Sequence, residues 1–182
     1  MRKYSPGLLL ICILATGCSK EPQPRAAVTT SVVLSSSVFS IPAMTGSGQQ
    51  NLADAPALFR LDSFINAAAP GYTRSEIRGA RADSCWVELT AGDALNNFAN
   101  YSKLRIDIYN AKLPAYAAVA GADNVPDEFS FNKTLPTERK IDFRNYFQSD
   151  SFRFRIAGTL RRPTKRPLEG RIRARFSLAL TD

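Results

Sequence analysis

No histidine occurs anywhere in the 182 residues. Its absence excludes Ser-His and Cys-His catalysis, histidine-ligated metals and histidine-based pH switching. Three cysteines are too few for a disulfide framework or a four-cysteine zinc site. Ten glycines and eleven prolines exclude a collagen or a low-complexity chain. Neither a glycine-rich phosphate loop nor a Gly-x-Ser-x-Gly elbow is present. What is present suits one globular domain. With 45% of residues hydrophobic and 22% charged, the chain can bury a sizeable core and is too apolar to be disordered.

The start of the chain has a layout of its own. Arg2 and Lys3 form a positive segment, and Leu8 to Ala15 an apolar run. That run is too short to span a bilayer, which takes roughly 20 residues, and fits the core of a secretory signal peptide. It closes with Leu14-Ala15-Thr16-Gly17-Cys18, which resembles the lipobox of bacterial lipoproteins, with Ala15 where a branched residue is usual. The resemblance implies location rather than activity. Residues 1–17 are removed as a signal peptide, Cys18 is lipidated, and the chain sits on a membrane. Ser19, not Asp, follows the cysteine, which implies sorting to the outer membrane of a Gram-negative envelope. Lys20-Glu21 resembles the short charged tags that send some lipoproteins outside, so the periplasmic face and the cell surface both remain open. Cys12 then leaves with the signal peptide and Cys18 is modified, so Cys85 is alone. Its neighbours Trp86, Val87 and Leu89 predict a buried, inert thiol.

Residues 18–27 read as the lipidated cysteine and a polar, proline-containing tether, and residues 28–182 as one domain. Val32-Val33-Leu34 and Val38-Phe39 are strand-like, and Phe64-Ile65 belong to a strand or short helix stopped by Pro70-Gly71. Ser84 to Thr90 reads as a strand. Leu95, Phe98 and Tyr101 have helical spacing, with Asp93 placed as an N-cap. Leu104 to Tyr109 alternates, putting Leu104, Ile106 and Ile108 on one face and Arg105, Asp107 and Tyr109 on the other. Tyr116 to Ala120 is its pairing candidate. Phe152 to Ile156 and Ile172 to Leu178 also alternate, and the reading joins them as a C-terminal hairpin. The class is all-β: an antiparallel β-sandwich with one or two short helices. An immunoglobulin-like arrangement leads, with a jelly roll or small barrel as the alternative.

Charge is unevenly placed. Residues 1–138 hold 12 basic and 12 acidic side chains, residues 139–182 hold 12 and 4. If the two last strands pair, Arg153, Arg155, Arg171, Arg173 and Arg175 line one sheet face. Arginine suits bidentate recognition of carboxylate, phosphate or sulfate, so an anionic glycan, lipopolysaccharide or other lipid head group is the expected ligand class. The competing reading is a solvated face that protects an edge strand. Nucleic acid is not expected, because no recognised nucleic-acid module is present. Asp123, Asp127 and Glu128 form an acidic loop whose oxygens suit calcium but lack the EF-hand spacing. Asp107 and Asp142 are the carboxylates a hydrolase without histidine would use. The expectation is therefore a non-enzymatic, lipid-anchored binding module without a cofactor. A structural or accessory subunit of an envelope complex, and a carboxylate-based hydrolase, are the alternatives. The first test is of the anchor: Cys18→Ala blocks lipidation and moves the protein from the membrane to the soluble or precursor fraction, read by fractionation. Unchanged membrane association contradicts the assignment.

Overall fold

The structure, a computed structural model, describes residues 25–46 and 48–181, with only the backbone described at Leu58 and Pro114. The segment expected to be a signal peptide, the expected lipidation site Cys18 and most of the expected tether lie outside the described residues. Nine strands carry the domain: β1 (Val28–Ser35), β2 (Phe39–Ile41), β3 (Gln49–Leu58), β4 (Ile77–Ala91), β5 (Tyr101–Asn110), β6 (Leu113–Ala122), β7 (Asn132–Leu135), β8 (Ser151–Leu160) and β9 (Leu168–Leu180). One helix, α1 (Leu61–Ala68), follows β3 and buries Leu61 and Ile65. Gly71, at φ 88°, turns the chain after it, a conformation that favours glycine.

The strands form two antiparallel sheets, ordered β1-β9-β4-β7 (sheet A, with β2 also on β9) and β3-β8-β5-β6 (sheet B). The pairs nest like the rungs of one long hairpin: β5 with β6 at its tip, then β4 with β7, β3 with β8, and β1 with β9. Successive rungs fall alternately into the two sheets. This is the winding of a jelly roll. An immunoglobulin domain pairs its first two strands within one sheet, whereas β1 here pairs with β9. The sandwich therefore stands, and the leading immunoglobulin-like version of it gives way to the alternative.

The same winding corrects the C-terminal hairpin. β8 and β9 are consecutive in sequence but belong to opposite sheets. Their connection does not turn back; it crosses the end of the sandwich and is fastened there by side chains. The Asn96 side-chain oxygen accepts from the backbone N–H of Lys165 (2.6 Å) and Arg166 (3.2 Å). The Asn100 carbonyl accepts from Arg161 N–H and Arg162 N–H, and Thr164 exchanges bonds with the backbone of Met44. Asn96, Asn97 and Asn100 are all buried. They also explain why the helical spacing of Leu95, Phe98 and Tyr101 fails. Asn97 and Asn100 bond backbone groups within residues 93–100, competing with helical hydrogen bonds and leaving only a 3₁₀ turn at Phe98–Asn100. Asp93 caps a tight turn instead, accepting from Leu95 N–H and Asn96 N–H, and Leu95 is exposed.

Alternation is obeyed elsewhere. Leu104, Ile106 and Ile108 of β5 and Ile172, Ala174, Phe176 and Leu178 of β9 all point into the core and are buried. Phe176 meets Phe143 and Phe147 edge-on, with centroids 5.3 and 5.2 Å apart, and Phe147 leans on Phe152 of sheet B. An aromatic cluster thus ties both sheets at the end where β1 begins. Packing between β9 and its neighbours is close. A Cβ at Gly170 would strike the Glu88 carbonyl oxygen and come within 2.7 Å of the Phe39 ring. Both open sides are closed by main-chain bonds between sheets: Ser37 N–H to Pro56 O, and Gly121 N–H to Pro136 O with Glu138 N–H to Val119 O. These cover edges that would otherwise be free to pair with another chain.

Cys85 lies fully buried, as its neighbours imply, and burial pushes its thiol up to about 12. Burial likewise pushes the Tyr101 hydroxyl up to about 12, and that hydroxyl has no hydrogen-bond partner among the described residues. Unfolded, these groups titrate near about 8.5 and about 10. Between those values and about 12 the unfolded chain releases protons that the folded one keeps, so stability falls as pH rises. Urea midpoints measured from pH 7 to 10.5 decline in the native sequence and decline less in Cys85→Ala/Tyr101→Phe. Tyr101→Phe alone is as stable as the native sequence or more so at pH 7, because an unsatisfied buried hydroxyl is removed. A steep loss of stability in Tyr101→Phe at pH 7 contradicts this account.

Candidate functional site

The five arginines expected on one face are divided between two. Arg153 and Arg155 point outward from β8 on sheet B, and Arg171, Arg173 and Arg175 point outward from β9 on sheet A. Each strand's outward alternation was read correctly, but the single five-arginine face does not form. Arg155 is also engaged. In register it lies between Asp54 of β3 and Asp107 of β5. Its Nη2 and Nε donate to Asp107 Oδ2 at 2.6 and 3.1 Å, while Arg105 Nε donates to Oδ1 at 2.6 Å. The Tyr116 ring of β6 covers the Arg155 guanidinium at 3.7 Å, stacks with Tyr109 at 5.1 Å, and approaches Asp54 through its hydroxyl at 3.3 Å. Asp107 is therefore buried even though it lies on the solvent side of its sheet. The Asp107 carboxylate bonds β5 to β8, and Tyr116, between Arg155 and Asp54, extends the outer-face cluster to β6 and β3.

The other acidic candidates have similar structural duties. Asp142 accepts from Ala80 N–H and Arg144 N–H, both at 3.0 Å, and sits on the sheet A side, so it does not pair with Asp107. Asp123 meets Lys103 at 3.3 Å, and Asp127 meets Arg161 at 3.5 Å and also Arg162. Neither these nor Glu128 belong to a cluster of three acidic, cysteine or histidine groups suited to a metal among the described residues. Ser130-Phe131-Asn132-Lys133 has the Ser-x-x-Lys spacing of some acyl-transfer enzymes. Here it enters strand β7, and the Ser130 hydroxyl lies 2.5 Å from the Asn132 carbonyl oxygen, to which it donates.

Unneutralised charge collects on sheet A. Arg173 reaches Glu88 only at 3.9 Å, and Arg171 and Arg175 have no ion pair or hydrogen bond from their side chains among the described residues. Further along the face, toward the end where β1 begins, lies a cleft of about 640 Å³. Its floor is the outer side of β4 and β9, and its wall is the 139–142 segment. Arg81, Arg139 and Lys140 line it and are likewise without partners among the described residues. Arg78 lines it too, with one nitrogen donating to the Ser75 carbonyl at 2.7 Å. Asp83 also lines it and accepts from Ser177 Oγ at 2.6 Å. A second concavity, about 420 Å³ over the Ala118–Gly121 part of sheet B, differs in that its cations Lys103 and Arg105 are paired.

No protein-family model and no curated protein matches the chain. The site must be judged on its own chemistry. Sequence reasoning missed Arg81, Arg139 and Lys140. The signal was there as Arg78-x-x-Arg81 and the Arg139-Lys140 pair, but the spacing says nothing about their convergence. β4 carries register shifts at Ile77/Gly79 and Ala82/Ser84 that flank Arg81, and the 139–142 segment is brought over by the return from β7. Arginines of the two kinds should respond differently to truncation. Arg155→Ala leaves the buried Asp107 with one cation and costs about 1–3 kcal/mol. Arg153→Ala, on the same strand and face, stays within about 0.5 kcal/mol. Urea denaturation of the two variants checks this; equal losses contradict the clamp.

Proposed function

We propose that the chain is a lipid-anchored, non-enzymatic binding module of the bacterial envelope, which holds an anionic ligand on the outer face of sheet A. The observation that carries the reading is the row of unpaired cations on that face, from Arg171 and Arg175 on β9 to Arg81 on β4 and Arg139-Lys140 beside it. Like charges on neighbouring positions of a sheet repel, and a polyanion relieves that repulsion. Arginine forks suit the carboxylate, sulfate and phosphate groups of envelope glycans and lipid heads. The signal peptide and the lipobox-like Cys18 support the envelope setting.

The runner-up, an accessory subunit of a surface assembly, has an observation of its own. Leu95 and Phe129 are 69% and 60% exposed, and both lie at the end of the sandwich remote from the start of β1. Exposed large apolar side chains mark contact surfaces when they gather in one patch.

The test compares faces. On an anionic glycan column run through a salt series, Arg171→Glu/Arg175→Glu elutes at lower salt than the native protein and its salt dependence flattens. Arg153→Glu, on sheet B, elutes with the native protein, and melting curves of all three agree within a few degrees. Equal elution of all three makes the arginine face a solvated surface. Binding to a partner protein that is indifferent to salt and lost in Leu95→Ser/Phe129→Ser favours the accessory reading.

A further inference from the structure

We infer that the cleft between sheet A and the 139–142 segment is a site for a phosphate-bearing ligand. The inference rests on the anion-binding reading above and narrows it to one concavity and one chemistry. Two chain segments far apart in sequence bring Arg81, Arg139 and Lys140 to the same cleft, and none has a partner among the described residues. The carboxylates nearby are already engaged. Asp142 is held by two backbone N–H groups, with its other oxygen 3.4 Å from Arg144 Nε, and Asp83 by Ser177. The lining holds four cations, Arg78, Arg81, Arg139 and Lys140, against two carboxylates, Asp83 and Asp142, so the cleft keeps a net positive charge.

Two guanidinium forks and one ammonium suit a tetrahedral, multiply charged oxyanion better than a planar, singly charged carboxylate. A volume of about 640 Å³ accepts more than the phosphate alone, and falls in the range of sites that hold a sugar- or headgroup-sized molecule. Backbone around the cleft offers room for such an approach, because Gly79 on its floor presents no side chain. Position adds a source. Thr29 lines the cleft one residue after β1 begins. From Cys18 to Val28 an extended chain reaches at most about 35 Å. A lipidated Cys18 would keep the cleft within that distance of the membrane. The phosphate of a lipid head group and that of a soluble phosphorylated saccharide share the same chemistry.

The experiment is calorimetric titration of the mature, lipidated protein in a non-ionic detergent at fixed ionic strength. Inorganic phosphate gives a saturable one-site isotherm, and acetate binds at least tenfold more weakly. Arg81→Ala/Arg139→Ala weakens phosphate at least tenfold, as does Lys140→Glu. Arg171→Ala/Arg175→Ala leaves it unchanged. Two further arms, micelles doped with a phosphomonoester lipid and a phosphorylated monosaccharide in plain micelles, assign the source by which binds more tightly. Absence of a saturable phosphate isotherm, or equal phosphate binding by the cleft variants, overturns the inference; acetate binding as tight as phosphate overturns the ligand class. If phosphate binding fails while glycan retention still depends on Arg171 and Arg175, the broader reading stands without this site.

Discussion

β9 is the strand on which the rest of the domain depends. It pairs along β4 on one side and with β1 and then β2 on the other. Ser36 spans the gap between β1 and β2, its hydroxyl accepting from Ile172 N–H at 3.0 Å in place of a main-chain carbonyl. Sheet A cannot be completed until β9 joins the strands that precede it, because β1, β2 and β4 all pair with it. The first and last strands of the domain are neighbours, and most contacts are between residues distant in sequence. Such a topology folds slowly and leaves edges open while it does so, which gives physical sense to the bonds that close both sides of the finished sandwich.

The excess of positive charge is divided by the fold into two populations. Arg155, Arg161 and Arg162 are tied down: Arg155 to Asp107, and the pair in the β8–β9 connection to Asp127 and to the carbonyls of Ala99 and Val125. These hold four strands of sheet B together and fix the crossing between sheets. Arg81, Arg139, Lys140, Arg171 and Arg175 hold nothing among the described residues. A charge that does no structural work and has like-charged neighbours raises the free energy of the free protein slightly, by an amount that a bound anion returns. Composition alone does not separate the populations, because all but Arg81 are interleaved in the last quarter of the chain.

What the sequence reveals follows the range of each physical effect. The side-chain period of a strand is local, so the buried faces of β5, β8 and β9 and the burial of Cys85 are legible residue by residue. Sheet membership is not local. Two alternating strands joined by a short segment normally pair, yet β8 and β9 do not, because the winding of the roll sends successive rungs to opposite sheets. That one non-local fact separates Arg153 and Arg155 from the arginines of β9. The false helix near residue 95 has the opposite cause. The apolar spacing there is helical, but asparagine side chains compete for the same backbone and win. The cleft is illegible for a third reason: its cations are ordinary in sequence and become unusual only when the 139–142 segment comes to lie over the outer face of β4.

The phosphate cleft and the exposed apolar loops lie at opposite ends of the sandwich, with Arg175 and Arg171 of β9 between them. The cleft sits where β1 starts, beside Gly79 and Ala179, and the exposed Leu95 and Phe129 sit beyond the other end of β4. Thirteen residues of β9 separate those ends, about 40 Å at the usual rise of a strand. Sites so far apart, with no shared partners, behave additively in mutation. An anchored chain with this layout would keep its cationic cleft near the membrane and carry its apolar loops outward. The readings therefore need not compete: a headgroup-binding end would fix the orientation of the module, and an outward apolar end would be positioned by it. Attachment at one point restrains distance from a surface more than direction, whereas a second contact made by the folded face also sets direction. A second, charge-based contact at the near end is the physical means by which a small lipidated sandwich would acquire a defined stance on its membrane.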